Sequence, residues 1–331
     1  MCNRRGASAI HGGPGWCPAN LETIIHGMGS QPGVSIASLA VLLACAAASP
    51  AAYAQDSATV VLVGTGFPRP DPAAAGPATA VVVGGRVFLF DAGAGIQRAL
   101  AAARLPINGV TALFVTHLHS DHTLGLPDLI LDSWVMGRHT PLAVYGPPGL
   151  RSMTGHILAA WAEDLRVRVD GLEHETPVTP QARVHEIAPG VVYDSGGVRV
   201  TAVAVPHGAL RHAFGYRLDA GGRSIVISGD TRPSPALERL SAGADVLVHE
   251  VYASETLRPE ARPGGDDWPR YMHEVHTSDV ELGAIAARVR PRILVLTHII
   301  RMGAADSTLL GGVRRGGFTG RVAIGHDGDR Y

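Results

Sequence analysis

One short segment of the chain, Thr116–His122, contains four potential metal ligands: His117, His119, Asp121 and His122. Residues two apart on an extended chain point the same way, so His117 and His119 can bind one ion. Asp121 and His122 follow in a turn and point elsewhere, and one ion rarely takes four ligands from so short a stretch. The spacing therefore favours two neighbouring ions, and imidazole with carboxylate suits zinc or manganese in a catalytic site.

Four more candidate ligands lie where predicted strands end: His207, Asp230, His249 and His298. A sheet holds such positions rigidly, so ligands from several strands can converge on one centre. Taken singly, each histidine has the ordinary alternative of a surface residue at a strand end. The repetition of the pattern over several strands is what indicates a metal site.

His276 is a candidate of another kind, because it lies just before a predicted helix. Ser278 and Glu281 have the spacing of a capping box, which marks that helix start. The free N–H groups of a helix start favour an anion, so His276 could donate a proton to the leaving oxygen of a bound phosphate or sulfate ester. The alternative is a helix-entry histidine with no chemical role.

The elements that position these residues alternate between strands and helices. Predicted strands are Ala58–Val63, Ala78–Val83, Val87–Phe90, Ala112–Val115, Leu142–Tyr145, Val198–Val205, Phe214–Leu218, Ser224–Ile227, Val246–Val248 and Ile293–Leu296. Predicted helices are Ile96–Arg104, Leu126–Met136, Leu150–Asp164 and one that ends at Val289. A pair of adjacent strands followed by a strand and a helix occurs twice along the chain. This order predicts a four-layer αββα sandwich, with two mixed β-sheets flanked by helices.

Composition narrows the function classes. Hydrophobic residues make up 46% of the 331-residue chain and charged residues 17%, which is typical of a globular protein. The formal net charge is −1, and all 28 cationic side chains are arginine, so a basic nucleic-acid scaffold is disfavoured. The three cysteines are Cys2, Cys17 and Cys45. If the beginning of the chain is removed, thiolate metal sites and cysteine nucleophiles are excluded.

The beginning of the chain has the pattern of an export signal. Residues 34–49 are apolar and uncharged, too short for a comfortable membrane span, and Ala52–Ala54 forms an A-x-A cleavage pattern. We therefore predict an N-terminal extension and export signal over residues 1–54, and a single metallo-hydrolase domain without a transmembrane segment over residues 55–331. The mature protein would be periplasmic or secreted. Anchoring by a lipid on Cys45, or an Ala-rich tail without a role, are the alternatives.

The segment His117–His122 resembles the signature of the metallo-β-lactamase superfamily. Further motifs are similar, in order, to those of ribonuclease Z and its arylsulfatase-like relatives: Gly64-Thr65-Gly66, Phe90-Asp91-Ala92-Gly93, Tyr145-Gly146-Pro147, Pro206-His207-Gly208, Phe214-Gly215-Tyr216-Arg217, Ser228-Gly229-Asp230-Thr231, Val248-His249-Glu250, His276-Thr277-Ser278 and Leu296-Thr297-His298. The similarity spans about residues 58–300. It implies the metallo-β-lactamase fold and metal-assisted hydrolysis of an ester, in which bound ions lower the pKa of water and clamp the ester oxygens.

The resemblance also implies roles for individual residues. It implies seven ligands for two zinc ions: His117, His119 and His207 for the first, Asp121, His122 and His298 for the second, and Asp230 between them. Asp121 would also orient or deprotonate the water, and His276 would lie near the leaving group. His249 and Glu250 would form a pair that orients the ligands. A homodimer is a further expectation from this resemblance.

Two departures from ribonuclease Z bear on the substrate. In that enzyme a long arm that grips tRNA precedes the bridging aspartate, whereas here only Leu218–Ile227 separates Arg217 from Ser228. The chain also has no lysine cluster for a phosphate backbone. We therefore expect phosphodiesterase chemistry on a small anionic ester, with nucleic acid disfavoured. An arylsulfatase is the alternative, and so is a β-lactam hydrolase, although the bridging Asp230 argues against the latter.

The segment Arg258–Arg270 is a long loop rich in proline, glycine and charge, just before His276. Because Trp268 and Tyr271 accompany it, we hypothesise that it covers the site and recognises a ring-bearing substrate. A solvated surface insertion is the alternative.

Overall fold

Two β-sheets form the centre of the protein in the computed structural model, which describes residues 57–176, 182–261 and 263–331. The six strands of the first sheet, in order, are β1 (Thr59–Gly64), β2 (Ala78–Val83), β3 (Arg86–Phe90), β4 (Val110–Phe114), β5 (Leu142–Gly146) and β6 (Ala182–Glu186). The seven strands of the second sheet are β7 (Gly190–Ser195), β8 (Val198–Ala204), β9 (Phe214–Ala220), β10 (Arg223–Ile227), β11 (Val246–Tyr252), β12 (Ile293–Ile300) and β13 (Arg321–Ile324). Both sheets combine parallel and antiparallel pairs, which confirms the predicted mixed sheets.

Helices connect the strands and pack outside the two sheets. They are α1 (Ile96–Ala102), α2 (Ser120–Thr123), α3 (Leu126–Val135), α4 (Leu150–Ala160), α5 (Ala162–Asp170), α6 (Pro235–Ser241), α7 (Trp268–Val275), α8 (Asp279–Val289) and α9 (Asp306–Arg315). Ser278 accepts a hydrogen bond from the Glu281 amide, and the Glu281 carboxylate accepts one from the Ser278 amide. The capping box predicted at the start of α8 is therefore confirmed.

Strand β1 shows how the layers are assembled. Val60 and Leu62 belong to the core between the two sheets, whereas Val61 and Val63 belong to the core beneath the outer helices. A strand covered on both faces reads as an unbroken apolar run, because both sets of alternating side chains are buried. The αββα sandwich predicted from the order of strands and helices is confirmed.

Several predicted boundaries were wrong. The helix predicted over residues 150–164 is two helices, because α4 ends at Ala160 and α5 begins at Ala162. Strands β11 and β12 extend to Tyr252 and Ile300, so His249 and His298 lie inside these strands and not after them. Strands β6, β7 and β13 were not predicted, because they are short and half-exposed and carry no strong apolar alternation.

The connection between β9 and β10 is a two-residue turn at Gly221 and Gly222. Both have positive φ angles, 57° and 73°, which glycine adopts without the strain of a Cβ atom. The strands pair directly up to this turn. The tight hairpin expected at the position of the tRNA-binding arm is therefore present.

The predicted extension over residues 1–54, with Cys45 and the cleavage pattern, lies outside the described residues. Its separation from a domain at 55–331 stays a prediction. Within the three described ranges, no helix is both long enough and apolar enough to cross a lipid bilayer.

Candidate metal centre

The first group of ligand candidates comes from the segment after β4 and the end of β8. The His207 ring lies 4.7 Å from the His117 ring and 4.8 Å from the His119 ring, measured between centroids. His207 Nδ1 is 2.9 Å from the Val275 carbonyl oxygen, and this hydrogen bond leaves Nε2 available as a ligand. Burial lowers the pKa of His117 well below its usual value, so this ring is neutral, the form that binds a metal. The structure thus brings together the three expected ligands of the first ion.

The second group contains Asp121, His122 and His298. Asp121 Oδ2 is 3.2 Å from His298 Nε2 and 3.5 Å from His122 Nε2. His298 reaches this position through a bulge, because β12 shifts its register against β11 at this point and leaves His298 unpaired. Its φ angle is 44°, in the left-handed region that non-glycine residues rarely adopt. This strained conformation redirects the side chain of a residue in mid-strand.

Asp230 lies between the two groups. Its Oδ1 is 3.4 Å from His122 Nε2, and its Oδ2 is 3.3 Å from His298 Nε2 and 4.0 Å from His117 Nε2. Burial would raise the pKa of Asp230, but the histidines, His298 and His122 foremost, hold it well below the usual value. The preceding Gly229 has a φ of 60°, and a Cβ there would lie 2.8 Å from a backbone oxygen. Only glycine therefore allows the chain to pass at this point.

Several polar atoms of this cluster have no hydrogen-bond partner among the described residues. They include His117 Nε2, His122 Nε2 and Asp230 Oδ1, all buried. Leaving such atoms unpaired costs about 1–3 kcal/mol each, so a native structure normally satisfies them. Nitrogen and carboxylate donors within 4.8 Å of one another are what a divalent cation binds. The residues present therefore fit a divalent metal.

His276 and Glu250 lie beside this cluster. His276 Nδ1 is 3.2 Å from Glu250 Oε2 and 4.0 Å from Asp230 Oδ2. Glu250 Oε1 accepts hydrogen bonds from the amides of Thr231 and Thr277, both at 3.1 Å. The carboxylate that faces the histidine is thus held in place by the backbone.

His249 is not brought into any of these groups of possible ligands. Its neighbours Val246 and Val248 face the core between the sheets, whereas Leu247 and Val251 face the helices. Side chains alternate along a strand, so His249 lies on the helix side of β11. Its Nδ1 is 2.7 Å from the Glu250 carbonyl oxygen. The predicted pair of His249 and Glu250 is therefore a contact between the His249 ring and the backbone carbonyl of Glu250.

Asp91, directly after β3, is a functional candidate to which the sequence reasoning assigned no role. Its Oδ2 is 2.8 Å from both His122 Nδ1 and the Thr116 hydroxyl, and its Oδ1 accepts the Thr116 amide at 2.7 Å. The Thr116 hydroxyl is in turn 2.9 Å from His117 Nδ1. One buried carboxylate therefore orients a ligand candidate from each group. The sequence signal that could have identified Asp91 was a carboxylate at the end of a strand that neighbours β4.

Replacing Asp91 with asparagine is expected to weaken metal binding about 10–100-fold, the usual effect of losing a carboxylate behind a ligating histidine. Asparagine has one acceptor oxygen and one NH₂ group, so it cannot accept from both His122 Nδ1 and the Thr116 amide, and the direction of His122 Nε2 toward Asp230 would be less well fixed. The measurement is competition for the metal with a chromophoric chelator. Asp194→Asn, which removes an exposed carboxylate from β7, is the control. Unchanged metal affinity in Asp91→Asn would contradict the orienting role.

The loop proposed to cover the site is partly helical. A 3₁₀ turn spans Gly265–Asp267, and α7 begins at Trp268, so the last residues of the predicted loop belong to a helix. Tyr271, which is 39% exposed, lies on this helix with its ring 5.9 Å from that of His276.

Comparison with known proteins gives the family. A family model described as a beta-lactamase superfamily domain matches residues 86–299. A ribonuclease Z from Mycobacterium sp. (strain KMS) is 39% identical over 247 residues, which are 73% of this chain and 84% of that protein. The chain belongs to the metallo-β-lactamase superfamily. A ribonuclease Z from Mycobacterium marinum is 35% identical over 274 residues, 81% of this chain and 96% of that protein. These two matches place the chain in the ribonuclease Z branch of the superfamily.

Solved structures of this superfamily agree in fold. The metallo-beta-lactamase fold protein YhfI from Bacillus subtilis has a TM-score of 0.65 and 20% identity, and covers 84% of this chain and 99% of its own. The short form of human tRNase Z has a TM-score of 0.61 and 24% identity, and covers 82% of this chain and 98% of its own. The predicted superfamily, its branch and a metal-dependent hydrolase are confirmed, and the roles of individual residues stay predictions.

Proposed function

We propose that this superfamily member is a phosphodiesterase that works with two zinc ions. The observation that carries the proposal is the position of Asp230 between two groups of ligand candidates. His117, His119 and His207 would hold one ion, Asp121, His122 and His298 the other, and Asp230 would contact both. When bound, the ions lower the pKa of water and neutralise charge on the phosphoryl oxygens. Sulfur is absent from this donor set, so manganese is the alternative metal.

The chain's own residues supply orientation and a proton. Asp121 is the most exposed of the four carboxylates here, since 11% of its side chain is accessible against 6% for Asp91, 3% for Asp230 and 1% for Glu250. It is therefore positioned to orient an incoming water. His276, supported by Glu250, would donate a proton to the leaving oxygen. The backbone amides hold the Glu250 carboxylate, whose Oε2 lies 3.2 Å from His276 Nδ1.

We further propose that the substrate is a small diester and not precursor tRNA. The turn at Gly221 and Gly222 offers no arm to grip a folded RNA. A cleft of about 790 Å³ has residues 67–76 of one loop in its lining and includes Asp121, one of the ligand candidates. This volume is in the range of small-molecule sites. The predicted export signal would also separate the enzyme from tRNA precursors.

A parallel assay tests this proposal. The purified chain, loaded with zinc or with manganese, is offered bis(p-nitrophenyl) phosphate, p-nitrophenyl sulfate, nitrocefin and a precursor tRNA. We expect about two metal ions per chain, as the ligand count requires, and the highest kcat/KM on the diester. One ion or none per chain would overturn the two-ion proposal. Faster cleavage of the sulfate or of nitrocefin would mean that the enzyme is a sulfatase or a β-lactam hydrolase and not a phosphodiesterase. Efficient processing of tRNA would overturn only the proposal that the substrate is small.

A further inference from the structure

Beside the ligand candidates lies a group of aromatic rings, Phe67, Trp268 and Tyr271, which we call the aromatic wall. The Tyr271 ring is 5.9 Å from the ring of His276, and the Phe67 ring is 6.4 Å from that of His298. These two histidine rings are themselves 5.9 Å apart and nearly parallel. The wall therefore follows the pair of histidines that faces Asp230.

Trp268 supports Tyr271 from behind. The two rings are stacked, with 5.3 Å between centroids and 13° between planes. The Trp268 indole N–H donates to the Met302 sulfur at 3.4 Å, and the Arg69 guanidinium lies 5.8 Å from the indole centroid. Arg69 also forms an ion pair with Glu260, which lies in the segment before α7. Contacts from both sides thus hold the tryptophan in one orientation.

The wall also has its own small core. Trp268 and Phe67 pack against a buried cluster made of Tyr252, Met272 and Ile300. Met272 is 0% exposed and lies directly after Tyr271 on α7, so it fixes that helix to the protein body. A surface held in this way is ready for a ligand before it binds, which avoids the entropic cost of ordering it.

Tyr271 is the member of the wall that is most exposed to solvent. It is 39% exposed, whereas Trp268 and Phe67 are partly buried. The exposed surface is an aromatic ring face, so a ligand does not need a positive charge to bind it. Such a face binds planar rings by stacking, and it tolerates different ring types because each offers a π surface.

We infer that the aromatic wall binds a planar ring of the substrate, with Tyr271 as the specificity-determining residue, so that the enzyme selects phosphoesters carrying an aryl group or a nucleobase. This inference rests on the proposed function, since it names the substrate class of the same site. The ring lies along Tyr271 while its ester reaches the ligand candidates past His276. An ester that carries only small alkyl groups has no ring to stack on the wall.

Binding of two monoesters to the zinc-loaded protein tests this inference. Phenyl phosphate and methyl phosphate carry the same phosphate group, and calorimetry gives the dissociation constant of each. We expect the wild-type protein to bind phenyl phosphate about tenfold more tightly, the effect of stacking one ring on an aromatic side chain. Tyr271→Leu keeps an apolar side chain without a ring, and it should reduce this ratio to about one. Tyr271→Phe keeps the ring and should keep the ratio.

Trp161→Leu is the matched control, because it removes another exposed ring, 41% accessible, from the junction of α4 and α5. It should leave the ratio unchanged. Equal binding of both monoesters by the wild-type protein, a ratio retained in Tyr271→Leu, or a ratio lost in Tyr271→Phe would each overturn the inference. In those cases diester hydrolysis still supports the proposed function. If neither monoester binds and no diester is cleaved, the proposed function and the inference both fall.

Discussion

Replacing Asp230 with asparagine is expected to lower kcat/KM on bis(p-nitrophenyl) phosphate by at least about a thousandfold. The substitution keeps the shape of the side chain but removes the negative charge between the two ligand groups. His122 Nε2 and His298 Nε2, 3.4 and 3.3 Å from this carboxylate, would then lose the anion they share. Metal analysis of the same sample should show fewer ions per chain than in the wild-type protein.

The control for this experiment is Asp219→Asn, which removes an exposed carboxylate from β9. It should leave both metal content and rate unchanged. Circular dichroism of the Asp230→Asn protein establishes that the fold is intact, so that a lost activity is assigned to the site. Wild-type rates together with a full complement of metal would refute the bridging role of Asp230.

Replacing His276 with asparagine is expected to lower kcat about 10²–10⁴-fold on a diester with a poor leaving group, the usual contribution of a general acid. The rate on a p-nitrophenyl diester should fall much less, because p-nitrophenolate leaves without taking up a proton. Metal content should stay that of the wild-type protein. The measurement is kcat on two diesters that differ only in the pKa of the leaving alcohol.

His156→Asn, which changes an exposed histidine of α4, serves as the control and should affect neither substrate. An equal loss on both diesters would contradict proton donation by His276. Loss of metal from His276→Asn would instead indicate that this histidine is a ligand, as its position near His207 and Asp230 allows.

The fold was largely predictable, because its central strands carry their signal locally. In β1 and β10 every residue but the first is buried, and the buried residues are almost all apolar. The helices beneath them begin and end at recognisable residues, as the capping box of Ser278 and Glu281 illustrates. By contrast β7 contains no buried residue, so no buried apolar run marked it as a strand.

The candidate ligands were predictable for a related reason. His117, His119, Asp121 and His122 are close in sequence, and the spacing already restricts how they can point. His207 and Asp230 follow β8 and β10 of the second sheet, and the packing of the two sheets brings them next to the residues that follow β4 of the first. The chemistry expected of these residues depends on their side-chain types, which can be read directly from the sequence.

What the sequence could not reveal depends on contacts between distant segments. The bulge that redirects His298 arises from the pairing of β11 with β12, and no local pattern encodes a register shift. The orientation of His122 depends on Asp91, 31 positions earlier, and the aromatic wall joins Phe67 to Trp268 across most of the chain. The residue types and spacing in the sequence therefore determine which ligands and which fold are available. Only the packed sheets decide which atoms meet, because register, strand face and hydrogen-bond partner are properties of pairs of segments.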